Sequence, residues 1–320
     1  MALDEASTAF VDRIFAQVGT LSQLSVAEAR RLYATGFPRR LSPPGEARRL
    51  RVPVTGGSIP VRIFSPPGSP SAVIVYYHGG GWVLGRLDGS EPVARALADR
   101  CGCTVICVGY RLAPEYRYPT AVEDAWSALR WADDHLADVA GGRLPLIVAG
   151  EGAGGNLAAV VARRAASGGP APAIDSDRPA INGGRPAVDL QILICPITDS
   201  DFDSLSYTEP ANQLLLDRDM MIWFWNHYAP DAASRSHPDA SPLQTVFLSG
   251  LPPAVILTAE HDVLRDDGEL YATRLVQAGV QVDHRRFSGQ PHGFFSQIGT
   301  LPASQDALDY VAAAITRRRG

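Results

Sequence analysis

The chain has 320 residues, which suits one large domain or two small ones. Its hydrophobic fraction of 46% and charged fraction of 20% are ordinary for a globular protein, and a net charge of -5 argues against a nucleic-acid partner. No apolar run reaches the ~18 residues that span a bilayer, and the N-terminus lacks an apolar signal segment. We therefore expect a cytoplasmic protein without membrane contact.

Periodic patterns predict the elements of a layered fold. Apolar residues keep helical spacing over about residues 1–35, where Ser25 and Glu28 form a capping-box pattern for a second helix through Tyr33. Two strands joined as a hairpin at 56–57 follow, and then continuous apolar runs alternate with helical patterns. The predicted strands are 49–54, 59–64, 72–77, 104–108, 144–149, 190–195, 254–258 and 280–287. The predicted helices between them are 91–99, 121–135 with a capping box at Thr120 and Glu123, 156–166, 268–277 and 304–318.

This alternation predicts an α/β fold with a mostly parallel central sheet and helices on both faces. One further segment, residues 214–227, is an aromatic-rich helix pattern too apolar to lie bare in water. We expect it to join the N-terminal helices in a cap over the C-terminal edge of the sheet, where ligands bind in open α/β folds. The predicted organisation is a single domain, 1–320, with a cap from about 1–40 and 198–230 and a core from about 45–197 and 231–320.

A glycine-rich motif, His-Gly-Gly-Gly-Trp at 78–82, follows directly on the predicted strand 72–77. Three successive glycines allow backbone N–H groups to point into one cavity without obstruction by side chains. Such donors stabilise the oxyanion formed in ester hydrolysis, and each is worth roughly 3 kcal/mol. The candidates are the N–H groups of Gly79, Gly80 and Gly81, with that of Ala153 to complete the set.

A second glycine-rich turn, Gly-Glu-Gly-Ala-Gly-Gly-Asn at 150–156, lies between a predicted strand and an Ala-rich helix. This is the context of a nucleophile elbow, G-x-S-x-G, in which glycines permit a sharp turn and the central Ser attacks the substrate. Here the central residue is Gly152, which has no side chain to attack with. The pattern therefore predicts the frame of a hydrolytic site without its nucleophile.

Four motifs together are similar to those of the hormone-sensitive-lipase-like family of α/β-hydrolases, which includes many bacterial carboxylesterases. They cover about residues 45 to 310. They are His-Gly-Gly-Gly-Trp at 78–82, Tyr-Arg-Leu-Ala-Pro-Glu at 110–115 with Pro-Thr-Ala-Val-Glu-Asp at 119–124, the turn at 150–156, and Asp-Val-Leu-Arg-Asp-Asp-Gly at 262–268 before Pro-His-Gly-Phe-Phe at 291–295. The resemblance implies an α/β-hydrolase fold and esterase chemistry.

The resemblance also implies roles for individual residues. Asp262 is the expected acid and His292 the expected general base, in the hydrolase order nucleophile, acid, base. Both follow predicted strands, so both should lie at the same sheet edge as Gly152, the position at which the family has Ser. The resemblance assigns structural roles to Arg111, Glu115 and Asp124.

No other side chain is a convincing replacement for the missing Ser. Glu151 should point away from His292, and neither Cys195 nor Ser288 lies at an elbow. The favoured nucleophile is a water in the space that a Ser side chain would occupy, activated by His292. Since loss of a triad member costs roughly 10⁶ in rate, such attack would be slow.

Three functions remain open. The first is a carboxylesterase for short to medium acyl esters that is inactive or very weak because of Gly152, whether by knock-out or natural variation. The second is a non-hydrolytic enzyme that uses His292 as a base for elimination, dehydration or cyclisation, as dehydratases among plant relatives do. The third is a ligand-binding protein, like the plant gibberellin receptors of the family.

The expected ligand is a small apolar ester or carbonyl compound, bound by Trp82, Met221 and Phe224 as candidate pocket residues. The four cysteines lack zinc-site spacing and read as buried free thiols, so no metal and no organic cofactor is expected. A homodimer is an option that the sequence leaves open.

Overall fold

The described residues form one eight-stranded sheet. The structure is a computed structural model that describes residues 2–36, 47–167 and 186–318. The strand order is β1-β2-β4-β3-β5-β6-β7-β8, with β1 and β2 antiparallel and β3 to β8 parallel, so the mostly parallel sheet is confirmed. The strands are β1 (Arg48–Val54), β2 (Gly57–Phe64), β3 (Val73–Tyr77), β4 (Thr104–Val108), β5 (Leu146–Glu151), β6 (Val188–Ile194), β7 (Ala254–His261) and β8 (Val282–Pro291).

Helices cover both faces of the sheet. Every residue of β3 is buried, and its side chains alternate between two hydrophobic clusters: Val73, Val75 and Tyr77 belong to one, and Ile74 and Tyr76 to the other. This is the alternation that a strand buried on both faces requires. The helices are α1 (Glu5–Val18), α2 (Val26–Gly36), α3 (Glu91–Cys101), α4 (Thr120–Asp134), α5 (Leu136–Ala140), α6 (Ala153–Ser167), α7 (Leu205–Thr208), α8 (Arg218–Tyr228), α9 (Ala232–Ser236), α10 (Arg265–Gln277) and α11 (Pro302–Arg317).

One of the two predicted capping boxes is confirmed and the other is wrong. The Ser25 backbone N–H donates to the Glu28 carboxylate over 3.2 Å, and the Glu28 backbone N–H donates to the Ser25 hydroxyl oxygen over 3.4 Å, as the box requires. At α4, however, Thr120 is already the first helical residue and the helix has no side-chain cap. Its presumed partner Glu123 instead forms an ion pair with Arg164 of α6, 2.9 Å away.

The aromatic helix begins later than its pattern predicts. Asp217 caps α8, because its carboxylate accepts a hydrogen bond of 2.7 Å from the backbone N–H of Met220. The leucines at 214–216 therefore lie outside the helix. The predicted start at residue 214 was wrong because the capping residue, Asp217, lies within the apolar run and not before it.

Two predicted cap segments lie beside the loop that follows β3. From α2, the Arg30 guanidinium donates to the carbonyl oxygens of Val83 and Ala113 and pairs with Glu115 over 2.7 Å. From α8, Phe224 and its neighbours pack against the same loop. Residues 37–40 of the predicted cap lie outside the described ranges, and the division into cap and core stays a prediction. In the part of the chain that the structure describes, we find no helix with the length and apolarity of a membrane span.

The ends of three parallel strands place the candidate residues. The strands β5, β7 and β8 all extend beyond their predicted ends, and each stops directly before a residue singled out from the sequence. Those residues are Gly152, Asp262 and His292. Because carboxyl ends of parallel strands share one sheet edge, the three positions come together there.

Candidate active site

The turn after β5 has the backbone geometry of a nucleophile elbow. Gly152 lies at φ +55°, in the left-handed region. Its N–H donates to the carbonyl oxygen of Ile194 over 2.9 Å, and its own carbonyl accepts from the N–H of Asn156 at 3.0 Å and of Ile197 at 3.2 Å. The end of β6 and the first turn of α6 thus fix this turn, and a residue at 152 is held in the same conformation whatever its side chain.

The other glycines of the turn are needed for packing, whereas Gly152 is not. A Cβ at Gly150 would overlap the carbonyl of Gly154, and one at Gly154 would overlap the carbonyl of Tyr77. Apart from its chain neighbours, a Cβ at Gly152 would meet only the imidazole of His292, at 3.7 Å from Cε1 and Nε2, among the described residues. That distance is ordinary van der Waals contact, so the site has room for a Ser side chain.

Restoring Ser at this position should cost stability. A side chain at φ +55° strains the backbone, and the left-handed conformation costs a non-glycine residue about 1–2 kcal/mol. We expect Gly152→Ser to lower the free energy of unfolding by about 1 kcal/mol, measured by urea titration. Gly152→Ala is the control, since it meets the same backbone strain without a hydroxyl, and should lose a similar amount. A clear rise in melting temperature with Ser would contradict this expectation.

Asp262 and His292 form a hydrogen-bonded pair. Nδ1 of His292 lies 2.8 Å from Oδ2 of Asp262, whose side chain is fully buried. The other carboxylate oxygen, Oδ1, accepts from the backbone N–H of Leu264 over 2.9 Å. Since an ionised carboxylate can only accept, Nδ1 carries the proton and Nε2, which faces Gly152, is left free to act as a base.

Opposing influences set the basicity of His292. Burial lowers its pKa, but the charge and hydrogen bond of Asp262, together with the charge of Glu151, outweigh burial, so the pKa lies above the usual histidine value. A raised pKa makes the neutral imidazole a stronger base but restricts it to higher pH. As the pH is lowered, the rate of hydrolysis through His292 should therefore begin to fall at a higher pH than it would with an ordinary histidine as the base.

The sequence missed the partner of Glu151. This buried carboxylate accepts a hydrogen bond from the hydroxyl of Ser296, which lies in the segment after His292. Its other oxygen, Oε1, has no hydrogen-bond partner among the residues that the structure covers. Burial raises the pKa of Glu151, while the Ser296 hydrogen bond opposes that shift. Glu151 thus ties the elbow to the segment that carries the base.

Glu151→Gln should lower the pKa of His292, because it removes a negative charge that favours the imidazolium. The check is an NMR titration of the histidine rings in the chain and the variant, which needs no catalytic activity. Glu115→Gln is the matched control, since Glu115 pairs with Arg30 and is no cause of the His292 shift. An unchanged or raised titration midpoint for His292 in the Glu151 variant would show that the charge of Glu151 does not raise the pKa of His292.

The loop after β3 presents unpaired backbone donors. Gly80 and Gly81 lie at φ +105° and +58°, and a Cβ at Gly81 would overlap the ring of Phe224. Within the described ranges, no group accepts from the N–H of Gly79, Gly80, Gly81 or Ala153. A Cβ at Gly79 would lie 3.1 Å from the carbonyl oxygen of Glu151, so this loop packs directly on the elbow. The geometry suits an oxyanion hole.

His78 holds this loop through a hydrogen bond and a ring contact. Its Nδ1 lies 2.8 Å from the carbonyl oxygen of Gly79, and its ring stacks on Tyr110 with centroids 4.3 Å apart. Burial lowers the pKa of His78 to about 4, so the ring is neutral near pH 7. A neutral, stacked ring holds the loop without adding a charge beside the donors.

The three residues predicted to line the substrate pocket are buried in one cluster between the loop and α8. Trp82 stacks on Tyr228 with ring centroids 4.1 Å apart, Met221 is fully buried, and Phe224 lies over Gly81. These contacts are packing contacts. That Trp82, Met221 and Phe224 also touch substrate stays a prediction.

Cys195 lies beside the Asp262–His292 pair, which the sequence did not predict. All four cysteines are buried free thiols, as predicted, but Cys195 directly follows β6 at the same sheet edge as the pair. Its Sγ, a carboxylate oxygen of Asp262 and a ring nitrogen of His292 lie within 4.8 Å of one another. Burial, then the charges of Asp262 and Glu151, raises the pKa of the thiol well above its usual value, so it is no nucleophile.

Backbone strain also marks this site. Among the described residues, Trp82 at φ +60° and Cys195 at φ +41° are the only non-glycine residues with positive φ. Residues in sparsely populated conformations tend to gather at functional sites. In the loop after β4, Arg111 pairs with the fully buried Asp124 over 2.6 Å and Glu115 pairs with Arg30 over 2.7 Å, contacts that suit the structural roles implied for these residues.

Comparison with known proteins decides the family. A sequence model described as "alpha/beta hydrolase fold" matches residues 74–296, and the chain is 41% identical over 264 residues to the carboxylesterase NlhH of Mycobacterium tuberculosis, covering 81% of this chain and 78% of that protein. The chain belongs to the hormone-sensitive-lipase-like family of α/β-hydrolases. It is therefore a carboxylesterase-like α/β-hydrolase, as the motifs predict.

Two further relatives of this family agree. An ethyl acetate hydrolase of Pseudomonas putida is 34% identical over 264 residues, covering 81% of this chain and 79% of that protein. The crystal structure of a hyperthermophilic esterase from the archaeon Pyrobaculum calidifontis superposes with a TM-score of 0.85 at 32% identity, covering 98% of each chain. The predicted α/β-hydrolase fold is confirmed.

Proposed function

We propose that this chain is a carboxylesterase frame for short to medium acyl esters that hydrolyses them very slowly, because Gly152 supplies no nucleophile. One observation carries the proposal. The space at Gly152 faces Nε2 of His292 at 3.7 Å, while the Asp262–His292 pair and the unpaired N–H donors beside it are in place. This arrangement supports an esterase frame that lacks only the hydroxyl of its nucleophile.

In the proposed reaction a water replaces that hydroxyl. The substrate carbonyl oxygen accepts hydrogen bonds from the N–H groups of Gly80, Gly81 and Ala153, which stabilise the oxyanion. The oxygen of the water attacks the carbonyl carbon while Nε2 of His292 takes a proton from the water. Asp262 stabilises the imidazolium that forms. The tetrahedral intermediate then expels the alcohol, whose oxygen takes the proton back from His292.

The rate should be low for a physical reason. A Ser side chain is fixed in place, whereas a water must be ordered in each turnover, and positioning contributes about 7–11 kcal/mol in well-oriented intramolecular reactions. For the substrate, the aromatic surface of α8 and the ethyl acetate hydrolase among the relatives support small, apolar acyl esters.

The test compares p-nitrophenyl acetate hydrolysis by the chain and by its Gly152→Ser variant. The proposal expects the Ser variant to be faster by several orders of magnitude, and an unimproved variant would overturn it.

A further inference from the structure

The cluster of Cys195, Asp262 and His292 has the composition of a soft-metal site. It offers one sulfur, one carboxylate oxygen and one ring nitrogen within 4.8 Å of one another. Thiolate, imidazole and carboxylate are the ligands that Zn²⁺ uses in proteins, and three protein ligands with a water make up its open tetrahedral sites. Neither the proposed esterase reaction nor the comparisons assign Cys195 a role.

We propose that these three residues bind one Zn²⁺ ion, and that the bound ion turns His292 off as a base. Ligands at about 2.0–2.3 Å from zinc in a tetrahedron are about 3.3–3.7 Å apart. The ligand atoms of the cluster therefore need to draw together by about 1.5 Å at most, while Nδ1 and Oδ2, now 2.8 Å apart, open by about half an ångström to admit the ion.

Charge supports a divalent ion at this buried position. Asp262 and Cys195 are fully buried, and one carboxylate with one thiolate neutralises Zn²⁺ completely. The thiol proton leaves to solvent as the ion binds, since only a thiolate ligates zinc. The nearby Glu151 carboxylate adds further negative potential. Of the three ligands, only the side chain of His292 is partly exposed, at 23%, so the ion would enter from that side.

Metal binding would reverse the roles of the two ring nitrogens. In the described structure Nδ1 is the donor to Asp262 and Nε2 is the base. An ion on Nδ1 leaves the ring proton on Nε2, which then donates a hydrogen bond instead of accepting a proton. The site therefore loses general-base chemistry whether the nucleophile is a water or a restored Ser. This consequence rests on the proposed function, but metal binding itself does not.

The experiment titrates the chain with Cd²⁺, the thiolate-seeking analogue of Zn²⁺, and follows the sulfur-to-cadmium absorption band. We expect one equivalent of band, formed with release of protons as Cd²⁺ binds and then displaced by Zn²⁺, and loss of the band in Cys195→Ser. Cys107→Ser is the control, because Cys107 is equally buried but faces Ser90, and it should keep the full band. Asp262→Asn and His292→Gln retain the Cys195 thiol and should each weaken binding, so the proposal stays testable if Cys195→Ser fails to fold.

Binding that survives in Cys195→Ser, or the absence of any band in the chain, would overturn the metal site whatever the esterase assay gives. Conversely, if Gly152→Ser restores turnover and Zn²⁺ binds without inhibiting it, the site stands but its effect on the base is wrong. If Gly152→Ser restores turnover, and this turnover persists in EDTA but is abolished by Zn²⁺, the result supports both the metal site and its effect on His292.

Discussion

Gly152→Ser is expected to raise the rate of p-nitrophenyl acetate hydrolysis by roughly 10⁶-fold over the unchanged chain, the order of magnitude lost when a Ser nucleophile is removed from an intact triad. The structure leaves room for the change, since His292 is the only described residue besides the chain neighbours that approaches the new Cβ, at 3.7 Å. From that Cβ the hydroxyl oxygen reaches hydrogen-bond distance of Nε2 without movement of the backbone. The gain should appear in kcat, with acyl-enzyme formation visible as a burst of p-nitrophenolate.

Gly152→Ala is the matched control for this experiment. Its methyl group fills the same space and imposes the same backbone strain but cannot attack, so its rate should stay at or below that of the chain. If the Ser and Ala variants are equally slow, the surrounding pocket serves other chemistry. Product analysis for eliminations, and thermal stabilisation by carbonyl ligands without turnover, would then become the informative measurements.

Asp262→Asn, made in the Gly152→Ser background, is expected to lower kcat by roughly 10⁴-fold at neutral pH. Oδ1 of Asp262 accepts from the N–H of Leu264, so the amide of Asn would keep its oxygen there and turn its NH₂ group towards His292. Nδ1 would then accept a hydrogen bond, and the ring proton would move to Nε2, where the base is needed. The variant should fold, because the hydrogen bond to Leu264 is retained.

The control for this variant is Asp283→Asn, which removes a carboxylate that pairs with Arg317 and Arg318, away from the cluster. It should leave kcat within a factor of about two, as surface ion pairs contribute little. A loss of less than tenfold for Asp262→Asn would mean that Asp262 does not set the tautomer of His292.

Local patterns in the sequence were sufficient for most of the fold, whereas the roles expected of Asp262 and His292 came from the family resemblance. Strands buried on both faces are long apolar runs, and the turns that follow β3 and β5 are glycine-rich because side chains at most of these positions would overlap neighbouring atoms. Where the prediction of elements failed, competing contacts decided the outcome. The capping box predicted at Thr120 does not form because Glu123 pairs with Arg164, and α8 begins late because Asp217 caps it within an apolar run.

The chemistry around the expected residues was harder to predict, because it depends on segments distant in the chain. Cys195 has no metal-like spacing in the sequence, yet β6 brings it beside Asp262, which follows β7. Glu151 meets Ser296 only because β5 and the segment after β8 share a sheet edge. Neither juxtaposition leaves a periodic signal, so spacing alone could not have found them.

The left-handed turn at residue 152 has a consequence for how such a site changes over time. Its backbone suits Gly better than any residue that could act as a nucleophile, so a change from Ser to Gly is downhill for folding even as it removes the chemistry. Selection for stability would preserve Gly152, and only selection for turnover would restore Ser. Under the proposed function, one codon separates the two states, while the base, its acid and the donor loop require no further change.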